Sequence, residues 1–298
     1  MNKNPLISCI MPAYNAERYI AKSIQSILNQ SFCDFELIII NDGSTDDTEN
    51  IILSFDDPRI VYVKNERNLK IIKTLNKGLD LAKGKYISRM DSDDIALPEL
   101  FEKEIKIFEN RKDIGIVNIL TYHLTEDGCH IRPNRQYFRV SPEVMSYVCF
   151  YANMISHPGV MVRAELMKKY KYLDSPLVYH YEDKELWTRM FKDGIRCFTI
   201  GERLLEYRQS STSINALHVD ESYQRRQVFT SQYCKERWGY EWKTLPRITS
   251  FSIMYKHIIE LFSLWIHLAK TNQITAKVFL KVLLWQSRFF IGLSKGLL

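Results

Sequence analysis

Short apolar runs alternate with helix-spaced apolar residues through the first part of the chain. Residues 6–11 are a run closed by Pro5 and Pro12, the mark of a buried strand. Asn15 offers a helix cap, and Tyr19, Ile20, Ile24, Ile27 and Leu28 recur at helical spacing, which predicts a helix over 16–29. Residues 35–40 read as a second strand, ended by the turn Asn41-Asp42-Gly43-Ser44, with a helix over 45–54. A third strand is expected at 60–63. Ile71, Ile72, Leu75, Leu79 and Ala82 then predict a helix that Gly84 ends, before a fourth strand at 86–90. This alternation implies an α/β fold, a largely parallel sheet with helices on both faces. Ligands of such sheets sit outside the carboxyl ends of the strands. Pro12-Ala13-Tyr14-Asn15, Asn41-Asp42-Gly43-Ser44 and Asp91-Ser92-Asp93 all fall at those ends.

Further along, Pro98 opens a helix to about residue 110, and 114–120 is a strand. Residues 125–141, with Pro133 and several arginines, read as a loop or hairpin over the site. His157-Pro158-Gly159 leads into a strand ending at Arg163. Residues 182–192 are expected to be a helix with Leu186, Trp187, Met190 and Phe191 on its apolar side, and 195–200 a late strand. From about residue 218 the pattern is helical, so the chain divides into a body, 1–217, and a helical extension, 218–298. The extension ends in two amphipathic helices joined by Thr271-Asn272-Gln273. In the first, Lys256, Glu260, Ser263, His267 and Lys270 share one face; in the second, Lys277, Lys281, Arg288 and Lys295 align, with Gly292 as a potential interruption.

Charge sharpens this division. The net charge of the 298 residues is +6. Residues 221–298 hold twelve Lys and Arg against four Asp and Glu, a balance of +8, leaving 29 against 31 in the rest. A near-neutral body with a basic tail points to an anionic partner surface. Two readings of the tail stand: a helical pair packed on the body, or a pair lying in the plane of an anionic membrane. Nucleic acid is not the expected partner, because the basic residues alternate with large apolar faces and not with a polar groove. The six cysteines form no C-x-x-C pair, so neither a zinc site nor a disulfide framework is indicated, and reduced thiols in a cytosol are expected. No charge-free window is long enough for a spanning helix, and no N-terminal signal segment is seen. The expected location is therefore cytoplasmic, at most peripheral on the inner face of the cytoplasmic membrane.

The chemistry concentrates in Arg89-Met90-Asp91-Ser92-Asp93-Asp94. Three adjacent carboxylates repel one another, and a divalent cation with oxygen ligands would relieve that repulsion and could hold a diphosphate. A solvated acidic turn is the plain alternative. Glu182-Asp183 opens a helix, where the helix N-terminus favours a carboxylate and capping alone would explain one.

These residues carry a resemblance. Met11-Pro12-Ala13-Tyr14-Asn15, Asn41-Asp42-Gly43-Ser44-Thr45-Asp46-Asp47-Thr48, Gly84-Lys85-Tyr86-Ile87-Ser88-Arg89-Met90-Asp91-Ser92-Asp93-Asp94, His157-Pro158-Gly159, Glu182-Asp183-Lys184-Glu185-Leu186-Trp187 and Tyr207-Arg208 resemble, in order, the motifs of family 2 glycosyltransferases. Residues 5–215 are covered; the tail is not. The resemblance implies the GT-A fold and an inverting, metal-dependent transfer from a UDP-sugar to a saccharide hydroxyl, with Mn²⁺ or Mg²⁺ as cofactor. A lipid-linked acceptor in bacterial capsule, O-antigen or lipooligosaccharide synthesis would fit. It further implies a donor site of Pro12, Ala13, Tyr14, Asn15, Asp42, Gly43, Lys70, Arg89, Asp91 and Ser92. Tyr14 is an aromatic wall for uracil or a core residue, and Asp42 a uracil acceptor or a turn residue. Lys70, where many relatives carry Gly, is a phosphate ligand or a solvated charge. Asp93, with Asp91, resembles the metal-contacting pair. Asp183 matches the general base and Glu182 an acceptor-positioning residue; Trp187 is a sugar platform or core. Relatives often carry His two residues after Tyr-Arg, and here that position is Ser210, with His218 a substitute. Transfer to polyprenyl phosphate, or a silent scaffold binding through the basic tail, are the competing readings.

Overall fold

The computed structural model describes residues 4–131, 140–209 and 219–297. Pro133, Ser210 and His218 lie outside that range. The chain divides into two compact units: residues 1–133, 155–174 and 195–210, and residues 134–154, 175–194 and 211–298. The sequence pattern predicts one boundary, near residue 217; packing also groups 134–154 and 175–194 with the extension.

In the first unit, β1 (Ile7–Ala13) and β2 (Phe35–Asn41) are buried at every position. Continuous apolar strands of this kind need cover on both faces. On one face Ile7, Cys9, Met11, Leu37 and Ile39 join a core with Ile20, Ile24 and Ile27 of α1 (Ile20–Leu28). Phe101, Ile105 and Phe108 of α4 (Leu100–Asn110) complete it. On the other face α3 (Ile71–Leu81) lies so close that a Cβ at Gly78 would sit 2.6 Å from Ile10 Cγ2 and 3.0 Å from Ile40 Cδ1. Glycine is required there for the helix to touch the sheet.

The sheet runs β3 (Ile60–Lys64), β2, β1, β4 (Tyr86–Arg89), β8 (Met161–Arg163), β6 (Ile116–Leu124), β9 (Cys197–Arg208), β5 (Ile95–Ala96), with β7 (His130–Ile131) paired to β6. Strands β1 to β4 are parallel; β8 runs antiparallel to both β4 and β6, so the sheet is mixed. This mostly parallel sheet flanked by helices is GT-A-like. The expected helix at 16–29 opens as a turn, with the Ala16 carbonyl accepting from the amides of Tyr19 and Ile20 (both 3.0 Å), and is regular from Ile20; the amides of Ala16 and Glu17 bond to Thr48 Oγ1 (2.8 Å) and Asp46 Oδ2 (3.1 Å). Likewise α2 is confined to Thr48–Leu53. The late strand reaches Arg208, well beyond residue 200. Two helices were not anticipated, α5 (Pro142–Val148) and α6 (Ala164–Tyr170).

The second unit contains α5, α7 (Glu182–Lys192), α8 (Val219–Trp238), α9 (Phe251–Lys270) and α10 (Ala276–Leu297). Its core is aromatic. Phe150 lies 5.1 Å from Trp238, 5.9 Å from Trp242 and 6.3 Å from Trp265, ring centre to ring centre. Trp238, Trp242 and Trp265 are therefore core residues of this unit. Gly292 leaves the helical backbone of α10 unbroken. Among the described residues no helix is long and apolar enough to cross a membrane.

Candidate active site

Parallel pairing of β1 with β2 and β4 brings three strand ends to one edge. Ala13 lies opposite Asn41, and each strand releases a loop there. The first two loops interlock. Asn15, at φ 47°, donates its amide to Ser44 Oγ (3.0 Å) and accepts from the Thr45 amide at Oδ1 (2.9 Å). Asp47 N bonds back to Glu17 Oε2 at 2.9 Å. Pro12 and Ala13 are buried, whereas Tyr14 is 48% exposed beside them. It is not a core residue and is open to stack on a flat ligand.

Asp42 is buried, and its carboxylate organises the loop before α3. Oδ1 accepts from Asn65 Nδ2 (2.8 Å) and the Leu69 amide (2.8 Å); Oδ2 accepts from the Lys70 amide (3.0 Å). Three of about four acceptor positions are thereby in use. Lys70 sits at φ 72°, ψ 163°, a region that glycine populates freely and other residues rarely. The Asp42 carboxylate holds it there. Gly43 is equally constrained: at φ 71°, an added Cβ would lie 2.7 Å from the Arg67 carbonyl carbon. Gly43→Ala is therefore expected to lose about 1–3 kcal/mol of stability in a urea titration and to disturb this loop.

The end of β4 delivers the acidic cluster. Ligand oxygens of Asp91, Asp93 and Asp94 lie within 4.8 Å of one another. Arg89 Nη2 meets Asp91 Oδ1 at 2.5 Å, while its Nε and Nη1 are buried without an acceptor. Burial opposes the charge on Arg89, but Asp91 outweighs it, so the guanidinium stays firmly charged. Burial, then the charge of Asp91, pushes Asp93 up to about 6. Asp94 is raised well above the carboxylate range by burial and by both neighbours, and its Oδ2 has no partner. These carboxylates are under-compensated: the guanidinium groups of Arg89 and Arg208 stand against three of them. Hard oxygen donors with unmatched negative charge fit a divalent cation.

Arg208, at the end of β9, braces the cluster. Its amide donates to Asp94 Oδ1 (2.8 Å), its Nε to the Asp93 carbonyl (2.9 Å), and its Nη1 to the carbonyls of Thr125 (3.0 Å) and Glu126 (3.1 Å). Its guanidinium lies 4.3 Å from the Tyr19 ring centre. The resemblance includes Tyr207-Arg208 without a task for it, and the strand expected at 195–200 ends short of the pair, whereas β9 runs to Arg208. His157 Nε2 meets Tyr172 Oη at 2.8 Å, and burial, then Arg89, holds this imidazole well below its ordinary pKa.

Glu182 and Asp183 belong to the second unit. They occupy the first turn of α7. Asp183 Oδ1 accepts the Lys184 amide and Oδ2 accepts Asn153 Nδ2, both at 2.6 Å. Asp183 is half-buried and Glu182 is buried. Burial, then the charge of Arg226, lowers Lys184 to about 7. Trp187 is fully buried, so it is core and not a platform for sugar.

The family model described as "Glycosyl transferase family 2" matches residues 8–171. A UDP-Glc:alpha-D-GlcNAc-diphosphoundecaprenol beta-1,3-glucosyltransferase of Escherichia coli, WfgD, is 31% identical over 214 residues, 71% of this chain and 80% of the relative. Among solved structures, residues 1–349 of Staphylococcus aureus TarS with UDP-GlcNAc superpose at a TM-score of 0.62 and 14% identity, covering 96% of this chain and 88% of that one. The mannosyltransferase PcManGT from Pyrobaculum calidifontis, with GDP-Man and Mn²⁺, gives 0.55 at 14% identity, covering 99% and 88%.

Proposed function

The chain belongs to glycosyl transferase family 2, and from that premise we propose that it is an inverting transferase moving a hexose or N-acetylhexosamine from a UDP-sugar to a saccharide hydroxyl on a lipid-linked acceptor. The observation that carries this reading is the meeting of the Asp42 loop, Tyr14 and the Asp91–Asp93–Asp94 cluster at one edge of the parallel strands. WfgD, named for a UDP-Glc donor and a diphosphoundecaprenol-linked acceptor, supports the same pairing here. Capsule, O-antigen or lipooligosaccharide synthesis at a cytoplasmic membrane surface would use such an enzyme.

In this reading Tyr14 stacks on uracil, and the remaining acceptor capacity of Asp42 faces the base N–H. Lys70, at the start of α3, and the unmatched N–H groups of Arg89 are cationic partners for the diphosphate end. Asp93 and Asp91 would hold Mn²⁺ or Mg²⁺, which when bound neutralises charge on the departing nucleoside diphosphate. Asp183 accepts the proton of the acceptor hydroxyl as its oxygen attacks the anomeric carbon. A single displacement opposite the leaving group inverts that centre. Glu182 positions the acceptor.

A panel of UDP- and GDP-sugars, incubated with enzyme and either metal, tests the donor. One UDP-sugar is expected to release UDP faster than the others, and faster still with a diphosphoundecaprenol-linked saccharide. Release from GDP-sugars alone would overturn the UDP assignment.

A further inference from the structure

Part of the polar face expected on α9 is turned inward. Glu260, expected on the polar side of α9, is only 4% exposed and accepts from Tyr240 Oη and the Lys243 amide, both at 3.0 Å. His267 bonds to the Trp238 carbonyl at 2.9 Å. Outside, α9 shows Phe251, Tyr255, Ile259 and Phe262, at 46%, 63%, 47% and 45% exposure. Their spacing makes one stripe along the helix. On α10, Leu280, Leu284 and Ile291 are 60%, 53% and 58% exposed and make another. Single exposed apolar residues are ordinary, but contiguous stripes mark interaction surfaces.

The two stripes face the same way. The helices are antiparallel and meet where Gln286 accepts from Trp265 Nε1 (2.8 Å) and donates to the Ile258 carbonyl (2.9 Å). At about 100° per residue, the α9 stripe lies within about 100° of Ile258, and the α10 stripe about 120–160° from Gln286, in the same rotational sense. In an antiparallel pair, turning that way from a shared contact leads to one side of both helices.

The rim is cationic. Lys256, Lys270, Lys277 and Arg288 are exposed beside the stripes, while Lys281 lies 3.6 Å from Glu143. Residues 251–298 contain one acidic side chain, the buried Glu260. Next to the α10 stripe, Val144, Leu284 and Trp285 line an open groove with Lys281 and Arg288 at its edge. A second copy of the chain would bring like charges together. An anionic bilayer offers acyl chains to the stripes and phosphates to the rim.

We propose that the shared outer face of α9 and α10 is an in-plane docking surface for an anionic lipid bilayer. Docking would serve the lipid-linked acceptor proposed above, but the face stands independently of the donor chemistry. The intact chain is expected to float with vesicles of phosphatidylcholine and phosphatidylglycerol at low salt, and not with phosphatidylcholine alone. Tyr255→Ser, Phe262→Ser and Leu284→Ser together should weaken this at least about tenfold. Lys277→Gln with Arg288→Gln should weaken it about 25-fold, roughly fivefold for each charge. UDP binding should be unchanged in both variants; should the apolar variant fail to fold, the charge pair, both on exposed side chains, decides. Wild-type protein that stays free of anionic vesicles, or undiminished binding by the variants, overturns the proposal. So does a dimer in sedimentation equilibrium that the apolar substitutions dissolve, since a second copy would then own the face. Lost docking with intact transfer leaves the transferase reading standing.

Discussion

Asp183→Asn is expected to lower single-turnover transfer at least about a hundredfold, the lower end of general-base contributions. Asparagine keeps the size of the side chain and an oxygen for the Lys184 amide, now at 2.6 Å, but it cannot take a proton. UDP-sugar affinity should be nearly unchanged, because the residues assigned to the donor lie on other loops. Asn153 Nδ2 also donates to Asp183, at 2.6 Å, and an amide can face that donor with oxygen only by turning away from the first. A melting curve must therefore accompany the assay. Glu182→Gln should be milder and act mostly on acceptor affinity. Near-normal transfer by the Asp183 variant would move the base elsewhere, with Glu182 next in line.

Asp93→Ala should abolish metal-dependent UDP binding. Its neighbours are each partly committed to an arginine. Asp91 is held by Arg89 at 2.5 Å, and Asp94 Oδ1 is taken by the Arg208 amide at 2.8 Å. Asp93 is largely buried beside the like charge of Asp91, with Arg89 and Arg208 as the cations that oppose that repulsion. Calorimetry with UDP and Mn²⁺ checks this; a UDP affinity equal to wild type would remove Asp93 from the metal role. The two substitutions separate the two halves of the proposal. The first removes chemistry and spares binding, whereas the second removes binding.

Much of the donor edge was legible because strand ends announce themselves. A run such as Ile7 to Met11 closed by proline, or Tyr86 to Arg89 followed by carboxylates, needs only local pattern to be located. What those side chains do was less legible. Asp42 looked like a turn residue or a base contact, yet its carboxylate is engaged by Asn65, Leu69 and Lys70, more than twenty residues on. Lys70 looked like a solvated charge in place of a frequent glycine, and its φ of 72° gives that preference a physical reason. Arg208 had no local signal for its bonds to Asp93, Asp94, Thr125 and Glu126, since these depend on β9 returning to the sheet. The helix expected from Ala16 opens as a turn and becomes regular only at Ile20, a distinction that apolar spacing does not carry. In the tail, periodicity found both helices but assigned their faces by polarity alone. Buried partners for Glu260 and His267 reversed part of that assignment.

In the proposed reaction a divalent cation would join UDP to the acidic cluster at the end of β4. Titration of UDP into the wild-type protein, once with Mn²⁺ and once with EDTA, tests it. Binding that is strong with the metal and lost or severely weakened with EDTA is the expected result. Equal UDP affinity in both titrations would contradict it.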